Sequence, residues 1–341
     1  MKKILIILVI LTLIPVSIFA EVFAKSGTAS LQFLKLGVDA RAIGMGEAYT
    51  AVTDDISSIY WNPAGLALKY ETQVFFSHTN WVAETYHEFA AFSKETDYGF
   101  IGASFSLLHM PDMEVTTEEN FGPNGQEFSY SDIAVGLTYA NAFTDKFSFG
   151  LTGKWIRENI AEEDINTVAV DLGTLYNTGF KNIIIGMALR NFGPDIRYKV
   201  DNDNDDSIDE DPFDLFDNDG DGVIDEDGPE TEFKIPMNFS LGVSGDIMRK
   251  ESSYWIASMQ LDNCVDREET WNIGTEYNIN NFFLRAGYQI GYDAASYSFG
   301  FGVRVPTRIA IFNIDYAYTD MGRLQEDFAT GAHRISLKMS F

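Results

Sequence analysis

From residue 73 onward, apolar and polar positions alternate along much of the chain. A strand turns successive side chains to opposite faces, so this alternation predicts strands with one apolar and one polar face. Phe147, Phe149, Leu151 and Trp155 share one face, with Ser148, Thr152 and Lys154 on the other. Phe282, Leu284, Ala286 and Tyr288 oppose Arg285 and Gln289. Tyr297, Phe299, Phe301, Val303 and Val305 repeat the pattern, and Ala310, Phe312, Ile314, Tyr316 and Tyr318 oppose Asn313 and Asp315. At the end of the chain, Ile335, Leu337, Met339 and Phe341 alternate with Arg334, Ser336, Lys338 and Ser340. Chain ends usually fray, so a terminal strand this regular must be held in a sheet. The last strand of a soluble sandwich alternates in the same way; lipid on one side and water on the other also explains both faces.

Fourteen strands are expected, near 73–81, 86–94, 98–109, 128–143, 146–157, 166–178, 182–192, 236–247, 253–262, 270–279, 281–290, 296–305, 308–319 and 331–341. The connections separate them by length. Thr144-Asp145, Asn280 and Pro306-Thr307 are tight, whereas Pro111–Glu127, Gly193–Ile235 and Asp320–Thr330 are long. Short and long connections alternate, as they do when a membrane barrel has short turns on one side and long loops on the other. A soluble sandwich has no reason to sort its loops this way. The expected fold is therefore all-β: a 14-stranded antiparallel transmembrane β-barrel over 73–341, preceded by a small N-terminal segment.

The first residues support that reading. Met1-Lys2-Lys3 is a short basic start, and Ile4 to Ala20 is an almost unbroken apolar run. This predicts a secretory signal peptide over 1–20, with the cut after Ala20 or Ala24. A retained anchor helix is the rival, because about 17 apolar residues lies near the lower limit for spanning. Pro15 and the small residues at the end of the run favour cleavage. No cysteine follows the run, and the single cysteine, Cys264, has no internal partner for a disulfide.

After cleavage about 320 residues remain, ordinary for a barrel of a dozen or more strands. Aromatic residues make up 14% of the chain, yet the mean hydropathy is only −0.09, so apolar residues are distributed by alternation and not in blocks. No later stretch is long and apolar enough for a spanning helix. The net charge of −27 argues against nucleic acid as a partner.

Residues 25–72 read differently. They are rich in Gly and Ala, and Asp54 or Asp55 is placed to cap a short helix carrying Ile56, Ile59 and Tyr60 on one face. Pro63 should end that helix near Trp61. A compact non-strand element of this kind, inside a barrel, is a hatch; outside it, a periplasmic stub.

Within it, Gln32-Phe33-Leu34-Lys35-Leu36-Gly37 leads into Ala40-Arg41-Ala42-Ile43-Gly44-Met45-Gly46-Glu47-Ala48. Ala51-Val52-Thr53-Asp54-Asp55 and Ile59-Tyr60-Trp61-Asn62-Pro63-Ala64-Gly65-Leu66 follow. This run closely resembles the start of the PorV/PorQ family, which is itself similar to the FadL fatty-acid channels. The resemblance implies a bacterial outer-membrane barrel with a hatch to which Gly44, Gly46, Asp54, Asp55, Asn62, Pro63, Ala64 and Gly65 belong. It implies, first, a part in type IX protein secretion, with exported proteins or secretion-machinery subunits as partners. The FadL side of the resemblance implies the alternative, uptake of hydrophobic small molecules such as long-chain fatty acids.

An acidic insertion spans 197–232. Asp201 to Asp211 recurs sixteen residues later as Asp217 to Asp227, identical at eight of eleven positions. From Asp201 to Glu232, sixteen of thirty-two residues are acidic and none is basic. Asp217, Asp219, Asp221 and Asp225, with Gly222 for the bend and Val223 at the backbone-carbonyl position, match the first nine positions of a calcium loop. Asp201, Asp203, Asp205 and Asp209 repeat the spacing, but Asp206 stands where glycine is preferred. Neither copy has the closing glutamate; the second has Gly228 there, with Asp227 beside it as a substitute. Ca²⁺ is the expected ion, and a solvated acidic loop the alternative.

No catalytic constellation emerges. His78, His87, His109 and His333 are scattered without ligand spacing, and there is no Gly-x-Ser-x-Gly elbow. Ser77 and His78 are adjacent, so a strand points them to opposite faces. Gly44-Met45-Gly46 lacks the third glycine and the preceding strand of a dinucleotide site. The chain is not expected to be an enzyme.

Overall fold

The computed structural model describes residues 27–68, 71–115, 125–160, 163–198, 231–292, 296–322 and 331–341. The apolar start and the acidic repeat, with the expected calcium ligands from Asp201 to Asp227, lie outside the described residues. Fourteen strands form one closed antiparallel barrel. They are β1 Gln73–Asn80, β2 Tyr86–Thr96, β3 Gly99–His109, β4 Tyr130–Thr144, β5 Phe147–Ile160, β6 Glu163–Asn177 and β7 Ile184–Phe192. The remainder are β8 Asn238–Lys250, β9 Ser253–Cys264, β10 Thr270–Ile279, β11 Phe282–Ile290, β12 Tyr297–Pro306, β13 Ile311–Thr319 and β14 Ala332–Ser340. Each strand pairs with its sequence neighbours, and β14 closes on β1 with His78 opposite Ile335 and Phe76 opposite Leu337. Every expected strand is present, with boundaries moved by a few residues.

The faces are inverted relative to a soluble core. In β14, Ile335 is 54% exposed while Arg334 and Lys338 are buried. In β5, Phe147, Leu151 and Trp155 are exposed, and Ser148 and Thr152 are buried. The apolar face points out and the polar face points in, which closure allows because no sheet edge is left unpaired. Among the described residues, no helix is long and apolar enough to cross a membrane.

Thr72 and Phe341 meet at one end of the barrel, through a hydrogen bond from Phe341 N to Thr72 O of 2.9 Å. That end carries the two-residue turns after β2, β4, β8 and β10. The other end carries the connections at 193–237 and 320–331. The sorting has two exceptions: only two residues separate β5 from β6 at the loop end, and six separate β6 from β7 at the turn end.

Residues 27–68 lie on the inner face. They enter at the loop end, where Ser30 N donates to Lys234 O and Lys234 N to Thr28 O, both at 3.1 Å. They then cross towards Leu68, beside the β4–β5 turn. Short elements form on the way: Ala40–Gly44, Ser58–Trp61 and a 3₁₀ stretch Pro63–Leu68. The helix expected after Asp54 and Asp55 starts later than anticipated, with Ser57 at the N-cap position. Asp55 instead accepts from Ser57 N at 3.0 Å and Ser57 Oγ at 2.5 Å. The helix ends at Trp61, as Pro63 requires.

The segment packs on glycines of the wall. An added Cβ at Gly150 would stand 2.3 Å from Pro63 C, and one at Gly287 would stand 2.0 Å from Gly46 N. Gly173 meets Asn62 and Pro63, and Gly274 meets Met45, equally closely. Strand glycines are costly in a sheet interior, and here they let another backbone approach. Ile56, Ile59, Trp61, Ala64 and Leu66 are buried as a result.

Candidate functional site

Four charged side chains of the wall, Lys338, Arg285, Glu276 and Asp315, gather against the interior segment. Lys338 of β14 bridges Asp39 at 2.5 Å and Asp55 at 2.7 Å. Arg285 of β11 bridges Glu276 of β10 and Asp315 of β13, both at 2.6 Å. Arg41 links segment and wall: its Nε and Nη2 reach the two Glu276 oxygens at 2.9 and 3.0 Å, and its Nη1 reaches Asp54 at 2.6 Å and Asp55 at 3.0 Å. A fork-to-fork pair of this kind fixes orientation as well as charge. Burial pushes the Asp39 carboxyl up, against the pull of Lys338. Tyr254 adds a hydrogen bond to Glu276 at 2.9 Å.

Neutral contacts tie the same segment elsewhere. Gln260 Oε1 accepts from Tyr49 N and Thr50 N at 3.0 and 2.8 Å, and Ile56 N donates to Gln73 Oε1 at 2.7 Å. Asn62 Nδ2 donates to Thr50 O at 2.9 Å and to Thr174 O at 3.1 Å, while its Oδ1 accepts from Ala64 N at 3.2 Å. One further contact is charged: the Arg190 guanidinium lies over the rings of Tyr60 and Trp61, 5.0 and 5.2 Å from their centroids.

At the loop end, Asp266 holds the first turn of the segment through Lys35 at 2.7 Å and Gln32 at 2.9 Å. Burial opposes ionisation of Asp266, but the hydrogen bonds from Lys35, Gln32 and Cys264 outweigh it and hold the carboxyl below its usual range. A depressed acid stabilises above its unfolded value, so this tether persists at neutral pH and weakens only as pH falls below about 4.

A cavity of about 630 Å³ opens here, lined by Leu36, Trp81, Tyr292, Met321, Arg267, Arg334 and Glu47. Burial pushes the Glu47 carboxyl up, while Arg334 and Arg267 pull it back. Cavities near the turn end are lined by Arg41, Asp54, Tyr254 and Arg304, and by Leu68 with the β4–β5 turn; they share no lining residue with the loop-end cavity. The segment lies between them.

The motif residues separate by role. Gly44, Gly46 and Gly65 are steric: a Cβ would stand 2.8 Å from Gly300 Cα, from Tyr288 N and from Thr53 O respectively, and Gly46 has a φ of +62°. Asn62, Pro63 and Ala64 form a turn fitted to the wall. Asp54 and Asp55 join the charge network. Its other members, Asp39, Arg41, Glu276, Arg285, Asp315 and Lys338, were not singled out by sequence. The available signal was a charge at mid-strand on the polar face, where Ser, Thr or Asn suffices for water. Ser77 is buried and His78 exposed, so the two do not form a site. Among the described residues, no cluster of His, Cys, Asp and Glu is arranged to hold a metal ion.

The family model for type IX secretion system protein PorV matches residues 21–210, over half of the chain and including all of the interior segment. The chain belongs to the PorV family. Solved structures of similar fold include the Pseudomonas putida toluene transporter TodX, with a TM-score of 0.54 and 13% identity, over 89% of this chain and 97% of that one. The Ralstonia pickettii toluene transporter TbuX gives 0.53 and 12%, over 88% and 96%. A Pseudomonas aeruginosa FadL homologue gives 0.50 and 10%, over 90% and 98%. At such identity the likeness is one of fold. No curated protein matches the chain by sequence. The PorV family and the barrel fold point to a bacterial outer membrane, and the relatives are secretion proteins and transporters, not enzymes.

Proposed function

We propose that this protein assists type IX secretion, receiving exported proteins at the outer membrane or passing them to surface attachment, with its interior segment as a fixed plug. The observation that carries this reading is the segment itself. Its sequence falls within the PorV match, and its buried ion pairs and glycine contacts hold it across the barrel. A barrel stoppered in this way suits a protein that presents its loops to partners more than one that conducts solutes. A second reading, uptake of hydrophobic small molecules, draws on the loop-end cavity with its Trp81, Met321 and Leu36 lining and on the toluene-transporter fold.

A deletion strain separates the two. On the secretion reading, exported proteins that share a C-terminal sorting domain accumulate in the periplasm or fail to reach the surface. Intact surface display with slower uptake of long-chain fatty acids or aromatic hydrocarbons would favour the second reading.

The acidic insertion we take to be a calcium-ordered external loop, as the Asp217-x-Asp219-x-Asp221-Gly222 spacing suggests. Protease should cut 201–232 faster in chelator than in millimolar calcium, the range of roughly 0.1–1 mM being usual for extracellular sites. Replacing Asp217, Asp219 and Asp221 with Asn should abolish the difference. Equal cleavage of the unaltered protein in both buffers would leave a solvated loop.

A further inference from the structure

The outward apolar face is not equally long all round the barrel. On β14 and the residue that follows it, four apolar side chains, Ile335, Leu337, Met339 and Phe341, follow one another on the outer face. On β1 only Val74 and Phe76 do so before His78 and Asn80. On β2 only Ala90 and Phe92 stand between Glu88 and Lys94. Six residues of strand cover about 20 Å, or about 15 Å of height once tilted, against an apolar band of about 25 Å. The outer face of these two strands is apolar over less height than such a band, whereas on β3 Ile101, Ala103, Phe105 and Leu107 follow one another between Gly99 and His109.

The polar groups that shorten it are ordered. His78 and Glu88 face each other directly in the ladder. His78 Nδ1 lies 2.6 Å from Glu88 Oε1, and its Nε2 lies 2.8 Å from Asn80 Oδ1. The pair is 47% and 38% exposed, and apolar residues flank it in register: Ile335 beside His78 and Leu107 beside Glu88. Tyr86 stacks on His78 from the loop side, so the hydrogen-bonded pair lies on the membrane side of that aromatic ring. Towards the turn end, Ala90 and Ala103 leave the surface low between Phe92 and Phe105. Small residues of this kind permit close approach of another membrane segment.

We propose that the outer face of β1 and β2 is the docking surface for a second integral membrane protein, whose facing side supplies polar partners to His78 and Glu88. Acyl chains have no groups to meet the outward polar atoms of His78, Glu88 and Asn80, and a protein face does. The proposal rests on the secretion reading, which requires partners in the membrane, and adds where one of them sits.

Photo-crosslinking tests it in the host's own membranes. Benzoylphenylalanine in place of Phe76 or Phe92 should yield an adduct with an integral outer-membrane protein, identified by mass spectrometry. The same group in place of Val243, which is exposed on β8, at least six strands from both β1 and β2 in either direction, should not. Replacing both partners, His78→Leu with Glu88→Leu, should cut the adduct from Phe92 on the order of tenfold. Heat-modifiable migration checks that the barrel still forms. Lipid-only adducts at β1 and β2, equal protein adducts from Val243, or a yield indifferent to the double variant would overturn the proposal. Such a result together with lost surface display in the deletion strain removes this surface and keeps the secretion reading. The dependent adduct together with intact display keeps the surface and removes that reading.

Discussion

Replacing Gly287 with alanine is expected to unseat the interior segment while the barrel itself still closes. The new Cβ would lie 2.0 Å from Gly46 N and 2.3 Å from Met45 C, so backbone meets backbone and no side chain is free to swing aside. Overpacking costs about 1–3 kcal/mol in ordinary cores, and this contact belongs at or beyond the upper end. The open population of the segment should therefore rise roughly ten- to a hundredfold, which limited proteolysis of residues 27–68 would read. Gly153→Ala is the control, because nothing lies within 4 Å of the Cβ it adds. Equal protection of the two variants would mean that the segment is not seated on the wall at Gly287.

Arg41→Met is expected to loosen the same segment through charge. Glu276 has no exposure and would keep only Arg285 as a cationic partner, while Asp54 would lose its pair with Arg41. Removing one member of a buried ion pair typically costs about 3–5 kcal/mol, and the Arg285 that stays paired to Glu276 places this change at or below the lower end. Hydrogen exchange over residues 39–66 should quicken accordingly. Adding Glu276→Gln should recover part of the loss, and the recovered part measures the coupling between the two side chains. Exchange unchanged in Arg41→Met would mean that the network does not hold the segment in place.

The wall of this protein was legible in the sequence, and its interior only in part. Alternation such as Ile335-Ser336-Leu337-Lys338 states both the strand and which face meets water, because a period of two leaves no other arrangement. The two-residue connection between β5 and β6 was hidden, since both strands run past the apolar band as polar residues such as Arg157 and Asp164, whose side chains pair at 2.8 Å. The segment before β1 stood out in the sequence as a non-strand element rich in Gly and Ala, with Pro63 ending its helix. What it binds to did not. Arg41, Glu276 and Lys338 are far apart in sequence, and only closure of the barrel brings their registers together. Glu276 looked like any polar-face residue until Arg41 was found opposite it.

The claim on which the rest depends is that residues 27–68 stopper the barrel. Ion conductance of the purified protein in planar bilayers tests it most directly. The expected result is no steady conductance from the unaltered protein, with channel openings appearing in Gly287→Ala. A persistent, water-filled conductance from the unaltered protein, as large as that of the variant, would contradict it.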